Sequence, residues 1–148
     1  MVNNSKRIRL VLSHECSIFV NKNGRSIITN GPVYCLETAK ELLPTHQIRV
    51  VNDQADIDKA QRFFPELEDE ELIPFIKALT PDDRQSSERC QTTNRRVLDC
   101  DGYAMPWNRA KSERWDQGSW IYLKFGYIDN ITRTLVVSVH PSIVPRKK

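Results

Sequence analysis

Two segments late in this chain constrain its fold more than anything else in it. Trp120 to Ile128 and Thr134 to His140 alternate apolar and polar side chains at a period of two, with Asp129-Asn130 supplying turn chemistry between them. That period suits a pleated strand and not a helix, so the pair is expected to form an antiparallel hairpin. Ile121, Leu123, Phe125 and Tyr127 then share one face of the first strand, and Leu135, Val137 and Val139 share one face of the second. Such a continuous apolar surface needs a layer of helices to cover it. The opposite face would carry Trp120, Tyr122 and Lys124 with Val136, Ser138 and His140. Rings stack on bases, an ammonium holds phosphate, and an imidazole moves a proton near pH 7, so that face suits RNA. It equally describes a half-solvated sheet whose outer side is merely polar.

The covering helices are legible upstream. Leu36, Ala39, Leu42 and Leu43 recur at helical spacing and stop before Pro44. Ile48 to Val51 reads as a short strand. Asp53 reads as the N-cap of a helix burying Ile57, Ala60 and Phe63, closed by Pro65. Leu72, Phe75, Ile76 and Leu79 follow the i, i+3, i+4, i+7 pattern of one helix face. Pro74 requires that helix to begin near Glu70 or Glu71, where the missing N–H costs little. Thr80-Pro81-Asp82-Asp83 ends it or caps a short polar extension. Arg96 to Cys100 reads as a strand, and residues 104–118 as a long polar connection. Asp99 and Asp101 are expected to flank a turn.

The N-terminal third is a hairpin or small meander. Ile8 to Leu12 and Cys16 to Val20 are strand candidates, Asn21-Lys22-Asn23-Gly24 is a turn, and Ser26 to Thr29 returns before the break at Asn30-Gly31-Pro32. Its apolar side chains are too many to hang in water, so it should pack on the domain or on a partner. The expected class is α+β: an antiparallel sheet packed against two or three helices, with an extra N-terminal hairpin. At 148 residues the chain suits one domain, divided into a 1–35 extension, a 36–140 core and a 141–148 basic tail.

Composition removes several alternatives. With 39% apolar and 28% charged residues, the chain is neither disordered nor collagenous. No apolar run approaches the ~20 residues of a membrane span, so no membrane partner is expected. No secretory leader is visible, which makes Cys16, Cys35, Cys90 and Cys100 expected free thiols and a cytoplasmic location the natural one. Residues 1–52 hold seven Lys/Arg against three Asp/Glu, residues 53–90 five against eleven, and residues 91–148 ten against five. The basic last third would attract phosphate, though a basic stretch is also the commonest solvated surface. Without Cys-x-x-Cys or paired-His spacing, and without a Gly-rich phosphate loop, neither a metal nor a cofactor is expected.

Specific segments carry a resemblance. Thr38-Ala39-Lys40-Glu41-Leu42-Leu43, Gln47-Ile48-Arg49-Val50, Phe75-Ile76-Lys77-Ala78-Leu79-Thr80, Ile121-Tyr122-Leu123-Lys124 and Leu135-Val136-Val137-Ser138-Val139-His140 are similar to the motility quorum-sensing regulator (MqsR) toxins. These are small bacterial mRNA interferases with a RelE-like α+β fold, and the likeness spans about residues 38–140. It implies a RelE-like core and a toxin-like endoribonuclease, neutralised by an antitoxin protein. In such an enzyme the RNA 2′-hydroxyl attacks the adjacent phosphate without a metal, leaving a 2′,3′-cyclic phosphate and a 5′-hydroxyl. The family's helical lysine falls on Lys77, its strand tyrosine on Tyr122, and the lysine of its last strand on His140. His140 or Tyr122 would handle protons, while Lys77 and Lys124 would stabilise phosphate charge. RNA contacts are expected from Arg95, Arg96, Tyr103, Arg109, Arg114 and Trp120. The chain departs from the family at Cys100, where a glutamine is usual, in the longer connection after Met105, and in residues 1–35. The rival expectation is a non-catalytic module that binds RNA or protein.

Overall fold

Among the described residues, eight strands join in one sheet, and two helices cover one of its faces. The structure is a computed structural model that describes residues 17–43, 47–50, 64, 68–91, 97–127 and 133–142. The strand read at residues 8–12, the helix read from Asp53, and Arg95, Arg96 and the basic tail lie outside the described residues. In chain order the elements are β1 (Ile18–Val20), β2 (Ser26–Ile28), α1 (Leu36–Leu42), β3 (Gln47–Val50), α2 (Leu72–Ala78), β4 (Arg84–Gln91), β5 (Val97–Asn108), β6 (Glu113–Arg114), β7 (Ser119–Gly126) and β8 (Arg133–Pro141). The sheet runs β1-β2-β4-β5-β7-β8-β3, with β6 added beside β5. Every pairing is antiparallel except β3 with β8. The architecture is α+β, and the N-terminal hairpin is part of the sheet.

Local chemistry explains the elements. In the β1–β2 turn, Asn21 Oδ1 accepts hydrogen bonds from the Asn23 and Arg25 amides, both at 3.0 Å. Gly24 sits at φ 80°, a conformation that side chains resist. α2 buries Leu72, Phe75 and Ile76, and Leu79 follows them into the core. Pro74 stands in its first turn, where no intrahelical acceptor awaits an N–H. Thr80 and Asp83 form a capping box on the short 3-10 turn Pro81–Asp83 that leads into β4.

The core lies between the helices and the face bearing Ile121, Leu123 and Phe125. Phe75 meets Trp107 edge-on at 5.1 Å between ring centroids. Lys40 Nζ donates to the Leu79 carbonyl at 2.5 Å, joining α1 to the end of α2. The hairpin contributes Ile28 to this core. Just beyond it, the Val33 and Tyr34 amides donate to the buried Asp101 carboxylate at 2.8 and 3.0 Å, and Ser87 Oγ donates to it at 2.5 Å.

Three expectations are corrected. Residues 104–108 are not a polar connection: β5 continues to Asn108, with Ala104, Met105, Pro106 and Trp107 buried, and only the turn beyond is polar. Asp99 and Asp101 lie inside that strand rather than beside a turn, Asp99 paired with Arg89 at 2.7 Å. Strict alternation also fails on β8. Lys124 pairs with Ser138 and Phe125 with Val136, so Val137 is the extra residue of a bulge. The bulge resets the alternation, and Val136 turns into the core with Val139 instead of joining Ser138 and His140.

Candidate active site

Because Ile121, Leu123 and Phe125 point at the helices, Tyr122 and Lys124 point the other way. The pairing sets Tyr122 beside His140 and Lys124 beside Ser138 on β8, and sets the same two residues beside Ala104 and Gly102 on β5. Gly102 in turn faces Ser86, and Glu88 faces Ile27 of the hairpin. Ser86 and Ser138 stand low between taller side chains. The result is a cleft of about 290 Å³, bounded by Arg25, Gln85, Glu88, Tyr122, Lys124 and His140.

Gly102 decides how Tyr122 lies. A Cβ there would fall 2.1 Å from the Tyr122 hydroxyl, so only glycine lets the phenol lie across β5. The hydroxyl reaches Ser86 Oγ at 3.3 Å. On its other side the Tyr122 ring stacks on the His140 imidazole, with centroids 5.0 Å apart and planes 21° apart. His140 Nδ1 lies 2.9 Å from the Pro141 carbonyl, which can only accept. Nδ1 therefore carries hydrogen in that contact, and the neutral ring presents Nε2 as a proton acceptor.

The charged groups form a chain along the cleft. Arg25 donates from Nε and Nη2 to the two Glu88 oxygens at 2.8 and 2.5 Å. Lys124 Nζ donates to the same carboxylate at 3.1 Å. Burial alone would raise the Glu88 carboxyl, but the bonds and charges of Arg25 and Lys124 outweigh it and hold it below the ordinary range. Burial likewise pulls the Lys124 ammonium down, and the charges of Cys90, Tyr122 and Glu88 more than restore it. Burial raises the Tyr122 phenol, keeping its proton on at neutral pH. Beside Lys124 lie two thiols. A hydrogen bond from Cys100 lowers Cys90 to about 7 against the opposing effect of burial, and the Lys124 charge helps. Cys100, which stands where the resembling family has glutamine, is raised by that same bond and by burial.

The structure gathers Tyr122, Lys124 and His140 and places Lys77, Tyr103, Arg109 and Arg114 elsewhere, while Arg95 and Arg96 lie outside the described residues. Lys77 is exposed on α2, and α2 covers the opposite face of the sheet, so Lys77 takes no part in the cleft. Tyr103 is buried in the core among Phe125 and its neighbours, because it alternates with Gly102 and Ala104 on β5. Arg109 is held by Glu71 at 2.8 and 3.0 Å beside α2, and Arg114 is paired with Asp83. Trp120 is half-buried, two residues along β7 from Tyr122 on the same face. Arg25, Ser86 and Glu88 were not anticipated. Arg25 belongs to the hairpin, and the strand of Ser86 and Glu88, β4, reads Arg-Gln-Ser-Ser-Glu-Arg-Cys-Gln and offers no apolar alternation by which to recognise it. Among the described residues no group of three or more His, Cys, Asp or Glu is placed to hold a metal ion. Nor is any described helix long and apolar enough to cross a membrane. No protein-family model, no curated protein and no solved structure matches this chain.

Proposed function

We propose that this cleft is the RNA site of a toxin-like endoribonuclease that works without a metal. The observation that carries the reading is the Tyr122–His140 stack set beside Lys124 in one cleft. His140 Nε2 takes the proton of the RNA 2′-hydroxyl as its oxygen attacks phosphorus. The bond to the 5′-oxygen breaks, and Tyr122, which burial keeps protonated, gives its proton to the departing oxygen. Lys124 opposes the charge that gathers on the non-bridging oxygens. The products are a 2′,3′-cyclic phosphate and a 5′-hydroxyl, and solvent returns the proton from His140 to Tyr122. On this reading the protein works in the cytoplasm, where messenger RNA is met, and an antitoxin protein neutralises it.

His140→Ala and Tyr122→Phe should each slow RNA cleavage by roughly 10²-fold, the scale of losing acid–base help. Cleaved ends are to be assayed for the cyclic phosphate. RNA that binds with steep salt dependence and stays intact would remove the catalytic reading and leave a binding module.

A further inference from the structure

We propose that Arg25 and Lys124, spaced by the Glu88 carboxylate between them, form a clamp for one phosphodiester monoanion. The proposal rests on the reading of the cleft as an RNA site, and it adds the residue that the N-terminal hairpin brings there. Ile27 pairs with Glu88, so β2 runs beside β4 and delivers Arg25 to the cleft's edge. The three side chains differ in depth. Glu88 and Lys124 are sunk, with side chains 5% and 11% exposed, whereas Arg25 is 56% exposed. A guanidinium has five N–H groups, and Arg25 directs only Nε and one Nη2 hydrogen at Glu88. The remaining fork has the geometry that phosphate oxygens accept.

Charge fixes the ligand. While the Cys90 thiol beside Lys124 keeps its proton, two cations sharing one anion leave a single positive charge, which a phosphodiester neutralises and a phosphomonoester dianion exceeds. Glu88 also lets two cations stand close together without repelling, and it orders two long side chains before any ligand arrives. Stability alone is a poor reason for such a group, since a buried ion pair returns little against well-packed apolar side chains.

The test is binding of two probes to the full chain: dithymidine monophosphate, a phosphodiester with no 2′-hydroxyl to react, and inorganic phosphate. Arg25→Ala should weaken the dinucleotide about ten- to a hundredfold, the worth of one charge-assisted hydrogen bond. Arg25→Lys should recover part of that, because it keeps the charge and loses the fork. Glu88→Gln keeps both cations and removes the anion, so it should tighten inorganic phosphate more than the dinucleotide. Opposed signs from the two variants support the clamp. A contact that merely fastens the hairpin would lower Tm in both variants and leave both affinities alone, which overturns it. Changes in phosphate affinity of the same sign in Arg25→Ala and Glu88→Gln overturn it as well. Cleavage of a ribodinucleotide separates the two readings. A wild-type protein that binds the deoxy probe through Arg25 and cleaves nothing sinks the nuclease and keeps the clamp. Cleavage that persists in both variants at wild-type affinity sinks the clamp and keeps the nuclease.

Discussion

Alanine at position 102 would place a methyl group where the Tyr122 hydroxyl now lies, 2.1 Å from it, and the phenol would have to swing off β5. That movement breaks the stack on His140, so Gly102→Ala should cost cleavage about as much as Tyr122→Phe, roughly 10²-fold. Lys77→Ala, on the far side of the sheet, should leave cleavage and its pH dependence unchanged. Cys90 gives an independent reading of the charges. Its thiol loses its proton at about 7, below the ~8.5 of an ordinary cysteine, so iodoacetamide should label it half-maximally near neutrality. Lys124→Met should move that midpoint upward. The sign for stability follows. The folded thiol is the stronger acid, so its contribution grows as pH rises from about 7 through the ordinary thiol range and is absent below it.

At the level of elements, Asp101 ties the stretch after the hairpin to β5 by accepting from Val33, Tyr34 and Ser87. Asp101→Asn replaces one acceptor by a donor facing an N–H, and should lower stability by about 1–3 kcal/mol in denaturant unfolding. A chain beginning near Leu36 loses Ile28, Val33 and Tyr34 from the core and bares the edge of β4. It should show no cooperative thermal transition by circular dichroism. The sequence revealed the β1–β2 hairpin through its turn, the short β3, and the elements that bury one face at a clean period: α1, α2, β7, and β8 down to its bulge. It showed only the start of β5 and none of β4, which lack such a period. β5 is buried on both faces and interrupted by Gly102 and Pro106, and β4 is polar throughout. The site was legible in the same measure. Tyr122, Lys124 and His140 followed from alternation, whereas Arg25 and Glu88 depend on a pairing between strands far apart in the chain. Lys77 was misplaced because a helical position says nothing of which sheet face the helix covers.

Across the whole molecule, β5 sits between β4 and β7 with long pairings on both sides, while the hairpin is joined to β4 through Ser26 and Ile27. Amide hydrogen exchange should therefore be slowest in β5 and fastest in β1, whose Phe19 and Val20 are 59% and 61% exposed. The cleft draws on Arg25 of the hairpin, Glu88 of β4, Lys124 of β7 and His140 of β8. Synthesis delivers these in that order, and a domain acquires its native pairing as its segments emerge. A ribosome making this protein thus carries an unfinished cleft until β8 has left it. If the finished cleft cuts messenger RNA, that cutting cannot begin before β8 has emerged, and until then the message being translated is spared by its own nascent product.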